Sequence, residues 1–317
     1  MPRSLRLPHP RRSTRVVALP LIGTGLIDIA LAGIALIAIA ALTAHPAAAE
    51  PAPCGSAQSA CQVSLGTYHL AEPETPADTP RPAFIYFHGA GGTGRTIGSA
   101  PMAQAPMARG YVVAAPNGLV RPNTRFGPGW SFRPEAPQLR DELAFTRQLI
   151  DDLVTRHNVD PARIVLTGYS IGGSLVWYLA CRDATLAAAY TPYAGGFWRP
   201  HPQDCDGPVK LLHTHGWRDQ TVPLEGRPLR GGAIEQGDIF EGLQRWRTEN
   251  GCTRLRPDSF DTSGRYWRRK WEACAEGTAL EFALWPGGHT RPDAEWAEMA
   301  ADWVEATLAA PAEPAHD

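Results

Sequence analysis

Serine, aspartate and histidine occur in this order at three glycine- or proline-containing turns of the sequence. Ser170 lies between Gly168 and Gly172 in GYSIG, Asp219 lies in HGWRDQTVP, and His289 lies in PGGHTRP. A serine hydroxyl is a weak nucleophile until a neighbouring imidazole accepts its proton. A carboxylate can hold that imidazole in the required tautomer and stabilise the imidazolium that forms. These residue types therefore predict nucleophilic chemistry at a carbonyl carbon.

Each of the three residues also has a purely structural interpretation. A Gly-x-Ser-x-Gly stretch arises by chance in a chain with 31 glycines, and Ser170 would then belong to a tight turn. Asp219 would be a cap or turn residue, with Asp206 and Asp238 as competing acids. His289 would be a solvated loop histidine, although it lies in the loop that directly follows the last predicted strand. The combined context favours the catalytic interpretation.

Short apolar strands alternate with helical patterns over residues 83–308, which predicts an α/β domain with a mostly parallel sheet and helices on both faces. Ligands bind at the carboxyl ends of such strands. Ser170, Asp219 and His289 follow the third, fourth and fifth predicted strands, in the chain order of the α/β-hydrolase fold. The predicted strands are Ala83–Phe87, Tyr111–Ala115, Arg163–Thr167, Val209–His215 and Ala279–Trp285, and the predicted helices are Leu139–His157, the segment after Ser170, and Ala294–Leu308.

An oxyanion that forms at the attacked carbonyl needs two hydrogen-bond donors. The backbone N–H of Ile171 follows the serine at a predicted helix N-terminus and is the first candidate. The second is expected in the loop HGAGG after the first strand, at Ala90 or its neighbour Gly91. His88, beside this loop, is interpreted as a structural hydrogen-bonding residue and not as a second base.

Several aromatic and histidine residues lie near the predicted site. Trp130, Trp198 and Trp217 fall in loops at predicted strand ends, where they either stack on a substrate or pack the core. His213 and His215 alternate along the fourth strand, and we expect them to face opposite sides of the sheet. A zinc pair is therefore the less favoured interpretation, and no metal or cofactor is predicted.

The first 49 residues have the anatomy of a secretory signal peptide. Five arginines precede the apolar run Val16–Leu42, and Ala47-x-Ala49 offers a cleavage site before Glu50. The alternative is an uncleaved membrane anchor, because the run is long enough to span a bilayer. Asp28 near its middle opposes a stable span. We expect cleavage and a secreted or periplasmic protein.

The remaining composition sets the domain limits and the class of partner. Residues 50–82 are rich in Pro, Ala and Thr and are predicted to be an N-terminal loop segment, while residues 309–317 are predicted to be a disordered tail. Removal of residues 1–49 takes five arginines and one aspartate and leaves 25 basic and 31 acidic residues, a net charge of −6. A net negative charge does not indicate a basic surface for binding nucleic acid. The basic stretch Arg265–Trp271 is interpreted as a solvated hairpin.

All six cysteines follow the predicted cleavage point. An even number in an exported chain indicates three disulfides, for which the sequence alone allows fifteen pairings. Proximity favours Cys54–Cys61, Cys181–Cys205 and Cys252–Cys274. A metal site is the alternative, but no C-x-x-C spacing supports it.

A combination of motifs extends over nearly all of residues 60–308: FHGAGG, RDELAFTRQLIDDLVTRHNVDPARIVLTGYSIGGSLVWYLAC, LLHTHGWRDQTVP, WRTENGC and GGHTRP. In this combination the chain resembles secreted α/β-hydrolases of the polyhydroxybutyrate depolymerase and feruloyl/acetylxylan esterase family. This resemblance implies that Ser170, Asp219 and His289 form a catalytic triad, and it supports the disulfides Cys181–Cys205 and Cys252–Cys274.

The sequence departs from this family at three places that bear on the substrate. Ile171 replaces a small residue, Trp217-Arg218 precedes the acid, and Arg291 stands where the family often has tryptophan. No extra polymer-binding domain is recognised, which favours soluble esters or oligomers. The expected activity is hydrolysis of short-chain, hydroxyalkanoate-oligomer or feruloyl-type esters, and the expected partner is such an ester, with a membrane only if the N-terminal segment is retained. The alternatives are a peptidase or acyltransferase on the same fold and a non-catalytic exported binding protein.

Overall fold

The computed structural model describes residues 53–122 and 125–309. The predicted signal peptide lies outside these residues, as does the predicted tail apart from Ala309, which ends the last helix. Within the described ranges, every helix is too short or too polar to cross a bilayer.

In this part of the chain, ten strands form one central sheet and five short strands form two small sheets. The central order is β1-β2-β4-β3-β7-β8-β10-β15-β14-β13, β5 pairs with β6, and the third sheet has the order β11-β12-β9. The strands are β1 (Cys61–Val63), β2 (Gly66–Ala71), β3 (Arg81–Phe87), β4 (Val112–Pro116), β5 (Leu119–Val120), β6 (Pro128–Gly129), β7 (Val159–Tyr169), β8 (Ala189–Tyr193), β9 (Trp198–Arg199), β10 (Lys210–Gly216), β11 (Arg227–Leu229), β12 (Ile234–Gln236), β13 (Ser259–Asp261), β14 (Trp267–Trp271) and β15 (Ala279–Trp285).

Six adjacent strands of the central sheet, from β4 to β15, are parallel. Antiparallel strands extend both edges, with β1 and β2 at one side and β14 and β13 at the other. β4 and β8 are buried along their whole length and β15 at every residue but its first, because helices cover both faces of the sheet. The predicted α/β-hydrolase class of fold is confirmed.

The helices pack against two separate apolar clusters, one on each face of the sheet. Residues of α2, α3 and α4 contribute to one cluster, and residues of α1 and α5 to the other. Asp141 begins α2 by accepting the N–H groups of the next turn, as an N-cap aspartate does. The helices are α1 (Pro101–Ala108), α2 (Glu142–Arg156), α3 (Ile171–Arg182), α4 (Ile239–Glu249) and α5 (Ala294–Ala309).

The N-terminal segment differs from its prediction. Residues 50–82 were expected to be a loop, but Cys61–Val63 and Gly66–Ala71 form strands of the central sheet. Tyr68 is fully buried there. The loop prediction is wrong for these residues, because the Pro- and Thr-rich composition is concentrated in residues 72–82. The hairpin at Arg265–Trp271 is confirmed by the pairing of β13 with β14.

The disulfide pairing agrees with the pairing favoured by proximity. Cys54–Cys61, Cys181–Cys205 and Cys252–Cys274 are all bonded. The second pair links the end of α3 to the loop before β10, and the third links the end of α4 to the loop before β15. Both therefore tie the end of a helix to a loop at the amino end of a central strand, whereas Asp219 and His289 follow the carboxyl ends of the same strands.

Candidate active site

Ser170 lies at the junction between β7 and α3, in a backbone conformation that non-glycine residues rarely adopt. Its φ is 58° and its ψ is −122°, and its N–H donates to the carbonyl of Tyr193 at 3.0 Å. A Cβ on Gly172 would lie 2.0 Å from the carbonyl oxygen of Phe87, and one on Gly168 would lie 2.5 Å from the backbone of Gly172. Glycines are therefore required for a strand-to-helix turn that presents the Ser170 hydroxyl.

A chain of hydrogen bonds joins the serine, histidine and aspartate that the sequence pattern indicated. His289 Nε2 lies 3.0 Å from Ser170 Oγ, and His289 Nδ1 lies 2.6 Å from Asp219 Oδ2. The other carboxylate oxygen, Oδ1, accepts the N–H groups of Thr221 and Val222 at 2.9 and 2.8 Å. Because an ionised carboxylate only accepts, His289 donates from Nδ1, which leaves Nε2 to accept the serine proton.

The electrostatics of Asp219 favour the ionised form. Burial alone would raise the pKa of this carboxyl, but hydrogen bonds from His289 and from the backbone of Val222 more than offset burial and hold the pKa below its usual range. The competing acids have other partners: Asp206 accepts a backbone N–H after α3, and Asp238 caps α4. Asp219 is thus the acid that lies against the histidine.

The loop that carries His289 is fastened on two sides. The Tyr169 hydroxyl donates to the carbonyl of His289 at 3.2 Å, and its ring lies 4.9 Å from the imidazole. The backbone N–H of Arg218 donates to the carbonyl of Gly287 at 2.8 Å, so the acid and base loops are joined directly. Tyr169 was not predicted from the sequence as a site residue, although it directly precedes Ser170.

Two backbone N–H groups are the candidate donors to an oxyanion beside Ser170. Ile171 is the first residue of α3, where an N–H has no intrahelical acceptor. In the HGAGG loop, the N–H of Gly91 already donates to the carbonyl of Pro128 at 2.9 Å. The Gly91 alternative is therefore wrong, and Ala90 is the remaining candidate of the predicted pair.

His88 and Trp130 support the HGAGG loop from behind. His88 donates from Nδ1 to the carbonyl of Gly89 at 2.7 Å and accepts the N–H of Gly118 at Nε2, at 3.0 Å. Burial lowers the pKa of His88, which suits this neutral, structural state, as predicted. Trp130 is buried and donates from its indole to the carbonyl of His88 at 2.8 Å. A direct substrate contact for Trp130 was the wrong interpretation.

The other two tryptophans are more accessible. Trp198 is half-buried and its backbone N–H donates to the Tyr178 hydroxyl at 3.0 Å. Trp217 is 56% exposed and directly precedes Arg218 in the loop that carries the acid. Both lie in segments next to the strand ends and stay candidates for substrate contact.

A buried ion pair lies beneath the same loops. The Arg140 guanidinium contacts Glu142 Oε2 at 2.8 and 2.9 Å, and both side chains are 2% exposed. Glu142 Oε1 accepts the N–H of Ser131 at 2.8 Å, and Arg140 lies over the rings of Trp130 and Phe145. Burial lowers the pKa of Arg140 and raises that of Glu142, so each charge depends on the other.

Replacing Arg140 with methionine is expected to lower the free energy of unfolding by about 3–5 kcal/mol, because it leaves the Glu142 charge buried without a partner. The double variant Arg140→Met/Glu142→Gln should recover part of this loss, since glutamine removes the charge and can still accept the Ser131 N–H. Urea unfolding of the single and double variants measures both effects. A double variant no more stable than Arg140→Met would contradict the charge argument.

His213 and His215 do not face opposite sides of the sheet. Both are fully buried, and His213 Nε2 lies 3.0 Å from His215 Nδ1. The prediction is wrong because successive residues of a strand alternate, so that residues two apart share a face. Their ring nitrogens are hydrogen-bonded to each other, to Trp177 and to Val222, which does not suit a zinc pair.

Among the described residues, one group has metal-ligand spacing: Cys54, Cys61 and His157. The two cysteines form a disulfide, and a disulfide sulfur is not the thiolate that binds metals. This group therefore does not support a metal centre.

Comparison with known proteins places the chain in a family. The model of the dienelactone hydrolase family matches residues 67–234, which is more than half of the chain. The chain belongs to the dienelactone hydrolase family. The matched range includes Ser170 and Asp219, whereas His289 lies beyond it. The hydrolase family predicted from the motifs is confirmed at this level, while the specific likeness to polyhydroxybutyrate depolymerases stays a prediction.

Relatives of this dienelactone hydrolase family member carry esterase names. Feruloyl esterase B of Piromyces equi is 28% identical over 189 residues, which make up 56% of this chain and 34% of that protein. A probable feruloyl esterase C of Aspergillus niger is 26% identical over 199 residues, 58% of this chain and 63% of that protein. The chain thus spans about a third of the first relative and less than two thirds of the second.

Solved structures support the fold. The acetyl xylan esterase from Aspergillus awamori superposes with a TM-score of 0.57 at 16% identity, over 75% of this chain and 93% of that chain. The Bacillus cereus carboxylesterase superposes with a TM-score of 0.51 at 17% identity, over 77% and 95% of the two chains. At such identities the likeness concerns architecture, and the chemistry must be argued from the site itself.

Proposed function

We propose that this protein is an exported serine hydrolase that cleaves carboxylic esters through an acyl-enzyme. The observation that carries this proposal is the hydrogen-bonded row from Ser170 through His289 to Asp219, which we call the triad. Its order, distances and proton directions suit nucleophilic catalysis. The strained turn at Ser170 supports it further, because such strain is concentrated at functional sites.

In the proposed reaction, Ser170 Oγ attacks the ester carbonyl while His289 Nε2 takes the hydroxyl proton. The oxyanion accepts hydrogen bonds from the N–H groups of Ile171 and Ala90. When the tetrahedral intermediate collapses, His289 returns the proton to the departing alkoxide, and the alcohol leaves the acyl-enzyme. Water then attacks the acyl-enzyme with His289 as base, which releases the acid and restores Ser170. Asp219 stabilises the imidazolium in both halves.

For the substrate, we propose short-chain, hydroxyalkanoate-oligomer or feruloyl-type esters. The esterase names of the relatives support this range. The side chain of Ile171 packs closely on Gly129, where an added Cβ would lie 3.0 Å from Ile171 Cδ1. We propose that this branched side chain narrows the space left for the acyl group beside the oxyanion donors. We propose that Trp198 and Trp217, which lie in segments next to the strand ends, also contact the substrate.

Export is part of the proposal and rests on two observations. Three disulfides are formed and no cysteine of the described chain is free, which suits an oxidising compartment. The N-terminal 49 residues have the composition of a secretory signal. We therefore propose a secreted or periplasmic location.

The direct test of the proposed function is labelling with a fluorophosphonate probe. One probe molecule per protein is expected on the peptide that contains Ser170, identified by mass spectrometry, because only an activated serine attacks the phosphorus. Ser174→Ala should still be labelled, since Ser174 lies in the same helix but accepts the Gly196 N–H instead of contacting His289. Absence of label, as for a non-catalytic binding protein, or label on another residue would refute the assignment.

Product analysis then separates hydrolysis from acyl transfer. With p-nitrophenyl butyrate as substrate, the acyl group should appear as butyrate even when an alcohol or amine acceptor is added. A predominantly transferred acyl group would favour the acyltransferase alternative.

A further inference from the structure

His213 and His215 form a buried polar arrangement directly behind the proposed acid. Both lie on the face of β10 that packs against α3, and neither is exposed to solvent. His213 contacts Trp177 of α3 at one end, while His215 Nε2 lies 2.8 Å from the carbonyl of Val222 at the other. The proposed mechanism uses neither ring, although the arrangement links the helix that begins after Ser170 to the turn that holds the acid.

The Val222 carbonyl fixes the direction of the hydrogen bonds that link it to His215 and His213. A carbonyl only accepts, so His215 must donate from Nε2 to Val222, and its neutral ring then accepts at Nδ1. His213 therefore donates from Nε2 to His215 and accepts at Nδ1. An indole N–H only donates, and Trp177 supplies that donor 3.3 Å away. Burial lowers the pKa of both histidines, which agrees with two neutral rings.

The far end of this arrangement fastens the turn that positions Asp219. The N–H of Val222 donates to Asp219 Oδ1 at 2.8 Å, and the carbonyl of the same residue accepts from His215. His215 Nε2 also lies 3.5 Å from Asp219 Oδ2, the oxygen that faces His289. His215 thus holds the turn from behind and lies beside the carboxylate oxygen that orients the catalytic imidazole.

We propose that His215, oriented by His213 and Trp177, is a positioning residue that holds the Asp219 turn in register with His289. The inference rests on the proposed function, because it assigns His215 a role through the triad acid. His215 does not touch the substrate in this scheme. Its loss should shift the carboxylate and slow the chemical step without affecting substrate binding.

The experiment compares His215→Leu with His215→Gln, using p-nitrophenyl acetate turnover and the rate of fluorophosphonate labelling. His215→Leu should lower kcat by about 10- to 100-fold, since small misplacements of catalytic groups have effects of this size. Its KM should change by less than about twofold, because only the transition state is affected. His215→Gln should recover most of kcat, since its amide can donate to Val222 as Nε2–H does. His215→Asn, which is too short to do so, provides a second loss variant if the leucine variant does not fold.

A double-variant cycle with Asp219→Ala separates positioning from general stability. If His215 acts through Asp219, His215→Leu should change kcat by less than about twofold in the Asp219→Ala background, because groups that act as a unit are not additive. The matched control is Thr214→Val on the same strand. Thr214 faces the opposite side and accepts the indole N–H of Trp296 at 3.0 Å. Thr214→Val should lower stability and leave kcat nearly unchanged.

Two results would overturn the positioning role of His215. One is wild-type kcat in both His215→Leu and His215→Asn. The other is an equal fold loss for His215→Leu with and without Asp219, which indicates a structural role alone. Ser170→Ala is measured in parallel: turnover or labelling that survives in this variant overturns the proposed function itself. Turnover that depends on Ser170 but shows additive losses overturns only the His215 proposal.

Discussion

Ser170→Ala is expected to lower kcat for p-nitrophenyl acetate by about 10⁵- to 10⁶-fold, the loss typical of removing a triad nucleophile. The variant removes the atom that forms the acyl-enzyme and leaves its surroundings in place. The Ser170 hydroxyl makes no capping hydrogen bond in α3, and its contact in the site is with His289. Turnover should therefore disappear while the fold is retained.

At position 170, the side chain that is needed for activity is expected to lower the stability of the fold. At φ 58° and ψ −122°, a side chain costs about 1–3 kcal/mol of backbone strain. Ser170→Ala keeps the Cβ and the strain, whereas Ser170→Gly removes both. We expect both variants to be inactive, with Ser170→Gly the more stable of the two in urea unfolding. This stability order would show that the strained turn is maintained for the hydroxyl that it presents.

The control for Ser170→Ala is Ser174→Ala, one turn further along α3. Ser174 is buried and accepts the N–H of Gly196 at 3.2 Å, so its removal should lower stability by about 1–3 kcal/mol and retain most of the turnover. Circular dichroism and unfolding curves confirm that each variant is folded. A Ser170→Ala enzyme with more than about one per cent of wild-type kcat is incompatible with a covalent mechanism at this serine.

The strands and residues that were predicted correctly from the sequence are those with strong local sequence signals. The strand Ala279–Trp285 was predicted with its observed bounds, because a buried apolar run between turn residues is a clear signal. The nucleophile turn was found for a similar reason, since glycines flank Ser170 at fixed spacing. The strand Ala189–Tyr193 was missed. Its sequence AYTPY contains alanine and proline, which are poor strand formers, and it is a strand because neighbours on both sides pair with it.

Other features of the site depend on contacts between distant segments that no local pattern encodes. The sequence does not distinguish the N–H of Ala90 from that of Gly91 as an oxyanion donor. Only the folded chain shows that the Gly91 N–H donates to the carbonyl of Pro128. Trp130 was a candidate for substrate contact because it falls in a loop at a predicted strand end, yet its indole N–H donates to the carbonyl of His88. The role of His215 likewise depends on Val222 folding back against it.

Asp219→Asn is the second variant with a very large expected effect, a fall of about 10⁴-fold in kcat. Oδ1 of Asp219 accepts two backbone N–H groups, from Thr221 and Val222. An asparagine must keep its oxygen at this position, because its amide nitrogen cannot accept hydrogen bonds. The nitrogen is thereby placed at the Oδ2 position, 2.6 Å from His289 Nδ1.

An amide at this position donates to His289 and forces Nδ1 to accept. The neutral imidazole then carries its proton on Nε2, which faces Ser170 and can no longer take the hydroxyl proton. The fold loses little, since the turn keeps both of its backbone hydrogen bonds. The matched control is Asp238→Asn, because Asp238 competed for the role of acid in the sequence but caps α4, and asparagine caps a helix as well as aspartate does. Steady-state kinetics should show near wild-type kcat for Asp238→Asn. Two results would exclude Asp219 as the residue that sets the histidine tautomer: an equal loss of kcat in both variants, or more than about a tenth of wild-type kcat in Asp219→Asn.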